Sequence, residues 1–253
     1  MSRLLRRIAP ALAVLLAAAP SAGAQSILSS RGLGYPLQPL DARLRGLGGV
    51  STGLESPRLS MVNPADAAGL PAPGLVFTFQ PDVYDASAGN VEASGSTARF
   101  PLILAGFPLG RRFTGTVGYG SFLDQNWKVE QTDSLDLATG RVEVNDRFVS
   151  RGAVARFRAG GAYRLTDRVA VGLAADLFTG AVHDSATRTI GGTFPAVSGV
   201  RYTYTGVGLT AGARYTGSAV TVGAALSGGG KLNVEASDSL DPGKEYTNPL
   251  RVD

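Results

Sequence analysis

The chain has 253 residues, no cysteine, one histidine and 34 glycines, with a formal net charge of +4. The absence of cysteine excludes a disulfide scaffold, and a single histidine argues against a strong zinc site. Three of the arginines fall in the first seven residues, so the remainder carries 4 − 3 = +1. No Lys/Arg run of the kind that tracks phosphates is present, and no nucleic-acid partner is expected.

Residues 1–24 read as a cleaved secretory signal peptide. Arg3, Arg6 and Arg7 form a basic start, Ile8 to Ala19 an apolar stretch, and Ala22-Gly23-Ala24 a small-residue cleavage site before Gln25. The apolar stretch is interrupted by Pro10 and falls short of the roughly 20 residues that a membrane helix needs. Residues 25–73 are rich in Gly, Pro and small side chains, with a helix-like piece near Pro64 to Gly69. Gly46, Gly48 and Gly49 are expected to bend the backbone and let it approach a wall closely. Asn63 suits a cap, and Pro64 the first position of the helical piece that follows.

From residue 74 onward the dominant period is two. Val169, Val171, Leu173, Ala175 and Leu177 share one face, opposite Ala170, Gly172, Ala174 and Asp176. Val207 to Tyr215, Val220 to Ser227 and Ala153 to Leu165 repeat the pattern. Half-apolar strands of about ten residues are what a tilted barrel strand requires. Strands are predicted near 74–81, 95–107, 112–124, 141–165, 168–182, 200–215 and 218–235. Tight links at 108–111, 166–167 and 216–217 alternate with longer polar links near 82–94, 125–140 and 183–199. Phe107, Phe113, Tyr163 and Tyr215 lie beside the tight links, as rings at a lipid–water interface do. The predicted fold is all-β: an antiparallel up-and-down transmembrane β-barrel over 74–253 with an N-terminal hatch over 25–73. A soluble β-sandwich with an Arg/Thr/Gly face is the alternative. The tight links are expected to face the periplasm. Seven strands leave Asp253 in an outer loop, so C-terminal strands are expected to be missing; a compact eight-strand barrel is the competing account.

The stretch Ala42-Arg43-Leu44-Arg45-Gly46-Leu47-Gly48-Gly49-Val50, followed by Asn63-Pro64-Ala65, resembles the hatch of the long-chain fatty acid transporter (FadL-like) superfamily. Phe100 to Leu109 is similar to that family's early strand and first tight turn. Asp66 departs from it, since a small residue is commoner there. The resemblance implies a bacterial outer-membrane channel or transporter for hydrophobic or small solutes, with membrane lipid and a hydrophobic small molecule as partners. A related branch carries proteins of the type nine secretion system, so the alternative is a non-enzymatic binding or scaffold component with secretion-system protein partners.

No catalytic constellation emerges. His183 beside Asp184 reads as a solvated loop histidine, because no second carboxylate pair stands at suitable spacing. Gly228-Gly229-Gly230-Lys231 lacks the glycine and the Ser/Thr of a phosphate loop, having Ala225 and Leu232 instead. The repeat Asp133-Ser134-Leu135-Asp136 and Asp238-Ser239-Leu240-Asp241 suits Asx turns better than Ca²⁺ ligation. Arg156, Arg158 and Arg164 share one polar strand face. They are candidate lumen-facing residues, lining an anion path or pairing with hatch carboxylates. No cofactor and no metal are expected.

Overall fold

The computed structural model describes residues 35–54, 57–88, 91–137, 140–228, 230–237, 244–247 and 251–252. The signal-peptide reading of 1–24, the segment before Tyr35 and the repeat at 238–241 lie outside the described residues. The fold is all-β and antiparallel, a curled half-barrel sheet with almost no helix. Before the sheet come β1 (Tyr35–Pro36), α1 (Ala42–Gly46) and a 3-10 turn (Pro64–Ala67). The sheet contains β2 (Gly74–Ala88), β3 (Val91–Pro108), β4 (Phe113–Asp124), β5 (Trp127–Leu137), β6 (Gly140–Arg164), β7 (Val169–Ile190), β8 (Phe194–Thr216), β9 (Thr221–Gly228), β10 (Lys231–Ala236), β11 (Lys244–Thr247) and β12 (Arg251–Val252).

Several of these strands are pieces of one row. β4 pairs with the lower part of β6 and β5 with its upper part, so β4 and β5 form one row broken at Gln125–Asn126. β9 and β10 likewise share the flank of β8, and β12 and β11 pair with them in turn. The described residues therefore form eight rows, one more than the seven expected. The eighth is made of β11 and β12, which a polar, broken sequence concealed. Arg251 pairs with Ser227, so this part of the chain runs back along β9 rather than into an outer loop.

The long polar links are also corrected. Residues 82–88 and 91–94 continue β2 and β3, 127–137 form β5, and 183–190 with 194–199 continue β7 and β8. Only residues 89–90, 138–139 and Gly191–Thr193 are left between those strands. Strict alternation of short and long loops is thus absent, and the strands simply run on past the apolar stretch. Gly191 (φ 58°) and Gly192 (φ 72°) make the turn that joins β7 to β8.

Burial assigns the two faces. On β7, Ala170, Ala174, Asp176, Phe178 and Val182 are buried on the concave side, whereas Leu173 and Leu177 are 61% and 51% exposed on the convex side. Across β6, β7 and β8 the convex row begins apolar at the tight turns: Tyr163, Phe157; Leu173, Leu177; Tyr215, Leu209, Val207. It then turns mainly polar at one level. Ala155 pairs with Thr179 and Thr179 with Thr205, and beyond that row come Arg151, Arg147, His183, Ser185, Thr187, Thr203 and Arg201, with Val149 and Val197 as apolar exceptions. β9 and β10 behave alike, with Val222 and Leu226 below and Asn233 and Glu235 above. Above the level the apolar residues turn to the concave side: Leu232 and Val234 are buried there.

Irregularities collect at that same level. A register shift falls between Thr78 and Gln80, another between Ser121 and Leu123, the β4–β5 break is at 125–126, and Gly230 (φ 73°) sits between β9 and β10. Pro101, which has no N–H to give a ladder, ends the β3–β4 pairing, whose last pair is Leu102 with Gly120.

Candidate functional site: the N-terminal segment on the concave wall

The concave face is covered by the N-terminal segment. Leu59, Met61, Ala67 and Ala68 pack on Leu102, Leu104, Ala162 and Ala170 in one apolar cluster. Leu40, Leu44 and Val62 form a second cluster within the segment itself. Asp41 caps α1 by accepting from Leu44 N at 2.8 Å. Gly48 (φ 73°) and Gly49 (φ 85°) then end the helix, with Gly49 N donating to Leu44 O at 2.9 Å.

The bend expected of the glycines is therefore present, and the close approach to a wall is not. A Cβ at Gly46 or Gly48 would meet nothing within 4 Å, and one at Gly49 only ordinary contacts. The approach is made by wall glycines instead. A Cβ on Gly172 would collide with the Pro64–Ala65 backbone, and one on Gly212 with the Asn63 side-chain oxygen.

Asn63 is fully buried and uses both ends of its amide. Its Oδ1 accepts from Ala65 N at 3.0 Å, and its Nδ2 donates to Ala213 O of β8 at 3.1 Å. Pro64 opens the 3-10 turn, as its fixed φ suits. Asp66, the departure from the resembled motif, is also fully buried. Arg58 reaches its Oδ2 at 2.7 Å, and Arg214 of β8 donates to the Asp66 and Ala65 carbonyls at 3.0 and 3.3 Å. Burial pushes the Asp66 carboxyl above the ordinary carboxylate range, against the pull of Arg58 and Arg214.

The three arginines expected in the lumen all point to the concave side and differ in what they do. Arg158 is 2% exposed and grips Asp176 through two bonds of 2.7 Å. It also donates to Thr210 Oγ1 at 2.6 Å and to the Met61 carbonyl of the N-terminal segment. Arg156 stands 3.9 Å from Asp176. Arg164 lies over Gly69, whose φ of 84° and lack of a Cβ leave room for the guanidinium. Asp176 and Thr210 were missed by sequence reasoning. Folding the chain back about Thr166–Asp167 places Asp176 directly opposite Arg158, so the signal was there.

A family model covers this whole arrangement, matching residues 4–239, and it is the model of BamG. The chain belongs to the BamG family. This is a Bam-complex-related outer-membrane family, and membership carries an outer-membrane-associated role in the Bam machinery. The BamG match agrees with the outer-membrane, barrel-like part of what the glycine and Asn-Pro-Ala motifs implied and does not single out the fatty acid transporters. No curated protein and no solved structure matches the chain.

For the remaining expectations, His183 lies within β7 rather than in a loop, on the convex row with Arg151 and Arg201 as cross-strand neighbours. Asp133 to Asp136 lie within β5 rather than at a turn, and Asp133 Oδ1 accepts from the adjacent Ser134 N at 2.7 Å, one residue short of the Asx turn expected. A concavity of about 650 Å³ is lined by Val117, Phe157, Ala159, Leu177, Val207 and Leu209 of the convex apolar row, with Arg158 and Asp176 also contributing to its lining.

Proposed function

We propose that this chain is a membrane-embedded, non-catalytic scaffold of the outer-membrane protein assembly machinery, and that its partners are proteins rather than a small solute. One observation carries the membrane part: across β6, β7 and β8, the convex row changes from mainly apolar to mainly polar at one cross-strand level, Ala155–Thr179–Thr205. In water such a band would be an exposed apolar surface far beyond what a soluble protein tolerates. In lipid it is the low-energy arrangement. Nine tilted residues, Val169 to Leu177, climb roughly 23 Å, close to the apolar band of a bacterial barrel. Phe107, Phe113, Tyr163 and Tyr215 ring its lower edge, 40–47% exposed. The tight turns then face the periplasm, the side from which the N-terminal segment enters.

The scaffold reading is supported by the contents of the concave side. The Arg158–Asp176–Thr210 group, Asn63 and Asp66 fix the N-terminal segment to the wall as a hatch, with fully buried polar contacts. A solute path there would have to break these contacts at each passage. The concavity on the convex row faces lipid, where acyl chains fill it. The family membership points to protein partners of the Bam machinery. No enzymatic step is assigned to His183, whose cross-strand neighbours are Arg151 and Arg201 rather than an orienting carboxylate.

The test is twofold. Tagged chain extracted from native membranes should co-purify in stoichiometric amount with the other Bam subunits. Reconstituted alone in planar bilayers, it should give no conductance steps. Regular single-channel steps together with absence of the Bam subunits would overturn the proposal.

A further inference from the structure

Above the polar level the sheet is split. β3 leaves β4 at Pro101, and no pairing joins Val91–Arg99 of β3 to β5 among the described residues. Among the described residues β5 is bonded to β6 on one side only. Two strand edges thus flank a slot in the wall, with backbone donors and acceptors that no ladder of the described residues uses. At its foot the slot is already occupied by this chain: Tyr35 and Pro36 pair antiparallel with Asp124 and Leu123, and Leu37 N donates to Phe122 O at 2.9 Å. Arg99 clasps the foot, reaching Asp124 Oδ2 at 2.6 Å and also Asp82 of β2.

We propose that this slot is a docking site for an extended segment of a second polypeptide, added as a strand along β5 in the direction that Tyr35–Pro36 already takes. This deepens the scaffold reading and rests on its placing of the slot above the lipid. Three observations select a polypeptide strand. The chain's own β1 shows that the edge accepts an antiparallel strand, and β5 continues that edge directly. The two faces of β5 differ: Val129 and Leu135, 46% and 48% exposed, lie on the face shared with buried Ser150 and Val144, whereas Lys128 and Glu130 lie on the other. A segment with alternating apolar and polar residues matches both rows, since main-chain bonds supply affinity and alternate side chains supply selectivity. Finally, Trp127 Nε1, at the start of β5, is buried without a hydrogen-bond partner among the described residues, and a docked carbonyl satisfies it.

Trp127 is the single tryptophan of the chain, so its fluorescence reports the slot directly. The full chain inserted in phospholipid vesicles is titrated with a Val/Thr-alternating peptide bearing a dinitrophenyl quencher. Two further peptides are N-methylated, one at every Val and the other at every Thr. Saturable quenching by the parent peptide is expected, and at least one methylated peptide should bind about tenfold more weakly because the pairing N–H groups are gone. Equal quenching by all three peptides would mean apolar adhesion and overturn the proposal, as would no quenching by the parent at about 1 mM. Heat-modifiable migration of the same sample shows whether the chain is inserted. If quenching fails while insertion holds, the slot inference falls and the scaffold reading stands.

Discussion

Two arginine–aspartate forks in this molecule have nearly the same geometry and opposite surroundings. Arg158 holds Asp176 by two bonds of 2.7 Å in the lower, lipid-level half of the wall, under the N-terminal segment. Arg188 holds Asp146 by bonds of 2.7 and 2.6 Å in the upper half, with the arginine 61% exposed. The hydrogen-bond lengths cannot tell these forks apart. Their environments do. The lower fork has no water to take over if one partner is lost, and it also holds the Met61 carbonyl and Thr210. The upper fork has solvent as a ready substitute. The lower half of the wall therefore depends on each buried polar contact, whereas the upper half tolerates change.

The sharpest way to break that comparison is to remove one partner from each fork. Asp176→Ala should cost about 3–5 kcal/mol, because an unpaired guanidinium is left in a dry site. Asp146→Ala should leave stability within the scatter of the measurement. Urea-induced unfolding in vesicles compares the two, and similar losses at both sites would contradict the division. A somewhat smaller effect is expected on the convex row. Leu173→Arg places a charge near the middle of the apolar band and should cost about 2–4 kcal/mol, with reduced heat-modifiable migration. Thr187→Arg, on the same face of the same strand above the polar level, should assemble normally. If Thr187→Arg were the more damaging, the lipid level assigned here would be wrong.

The contact between hatch and wall comes next in size. Gly212→Ala forces a methyl group against the Asn63 amide and should destabilise hatch docking by about 1–3 kcal/mol while leaving the wall inserted. Gly110→Ala, where a Cβ meets nothing within 4 Å, carries only the strain of its φ of 98°. Trypsin cleavage after Arg58 reads the difference: faster cleavage in Gly212→Ala with unchanged band migration is the expected result. Loss of insertion would mean that the two parts fold as one unit.

These contrasts also show which features were legible in the sequence. The convex rows were plain, because Val169 to Leu177 and Val207 to Tyr215 alternate without interruption. The strands above the polar level were hidden for a physical reason. Once lipid gives way to water, the convex row no longer needs apolar residues, so His183 to Ile190 lose the contrast between faces and look like a loop. Asn63 and Pro64 could be singled out by the Asn-Pro-Ala motif, and Arg156, Arg158 and Arg164 as residues of the inner side, because polar groups in a barrel-like wall have few other places to go. The partner of Arg158 follows from folding the chain back about Thr166–Asp167, whereas that of Asn63 lies 150 residues away on β8 and could not be named without strand register. The roles of Gly172 and Gly212 were invisible, since a glycine on a strand shows nothing of what approaches it from 100 or more residues away.

The smallest effect expected concerns acid, and it sets the buried half against the exposed one through a single carboxyl. Burial raises Asp66 above the ordinary carboxylate range, and Arg58 and Arg214 pull it down without overcoming that rise. The docked hatch therefore holds the Asp66 proton more tightly than the unfolded chain does, and ionisation of this group works against docking. Lowering the pH from neutral through the raised value toward the ordinary one should stabilise the docked hatch. The gain is complete below the ordinary value and is lost as the pH rises through the raised one. Hydrogen exchange at the Ala65 and Asp66 amides, which lie in the 3-10 turn, reads this locally. Protection should increase modestly on acidification after correction for intrinsic exchange rates, and Asp66→Asn should flatten the dependence. If protection instead falls as the pH drops, the ion pair with Arg58 outweighs burial, and the hatch is held by its charges rather than in spite of them.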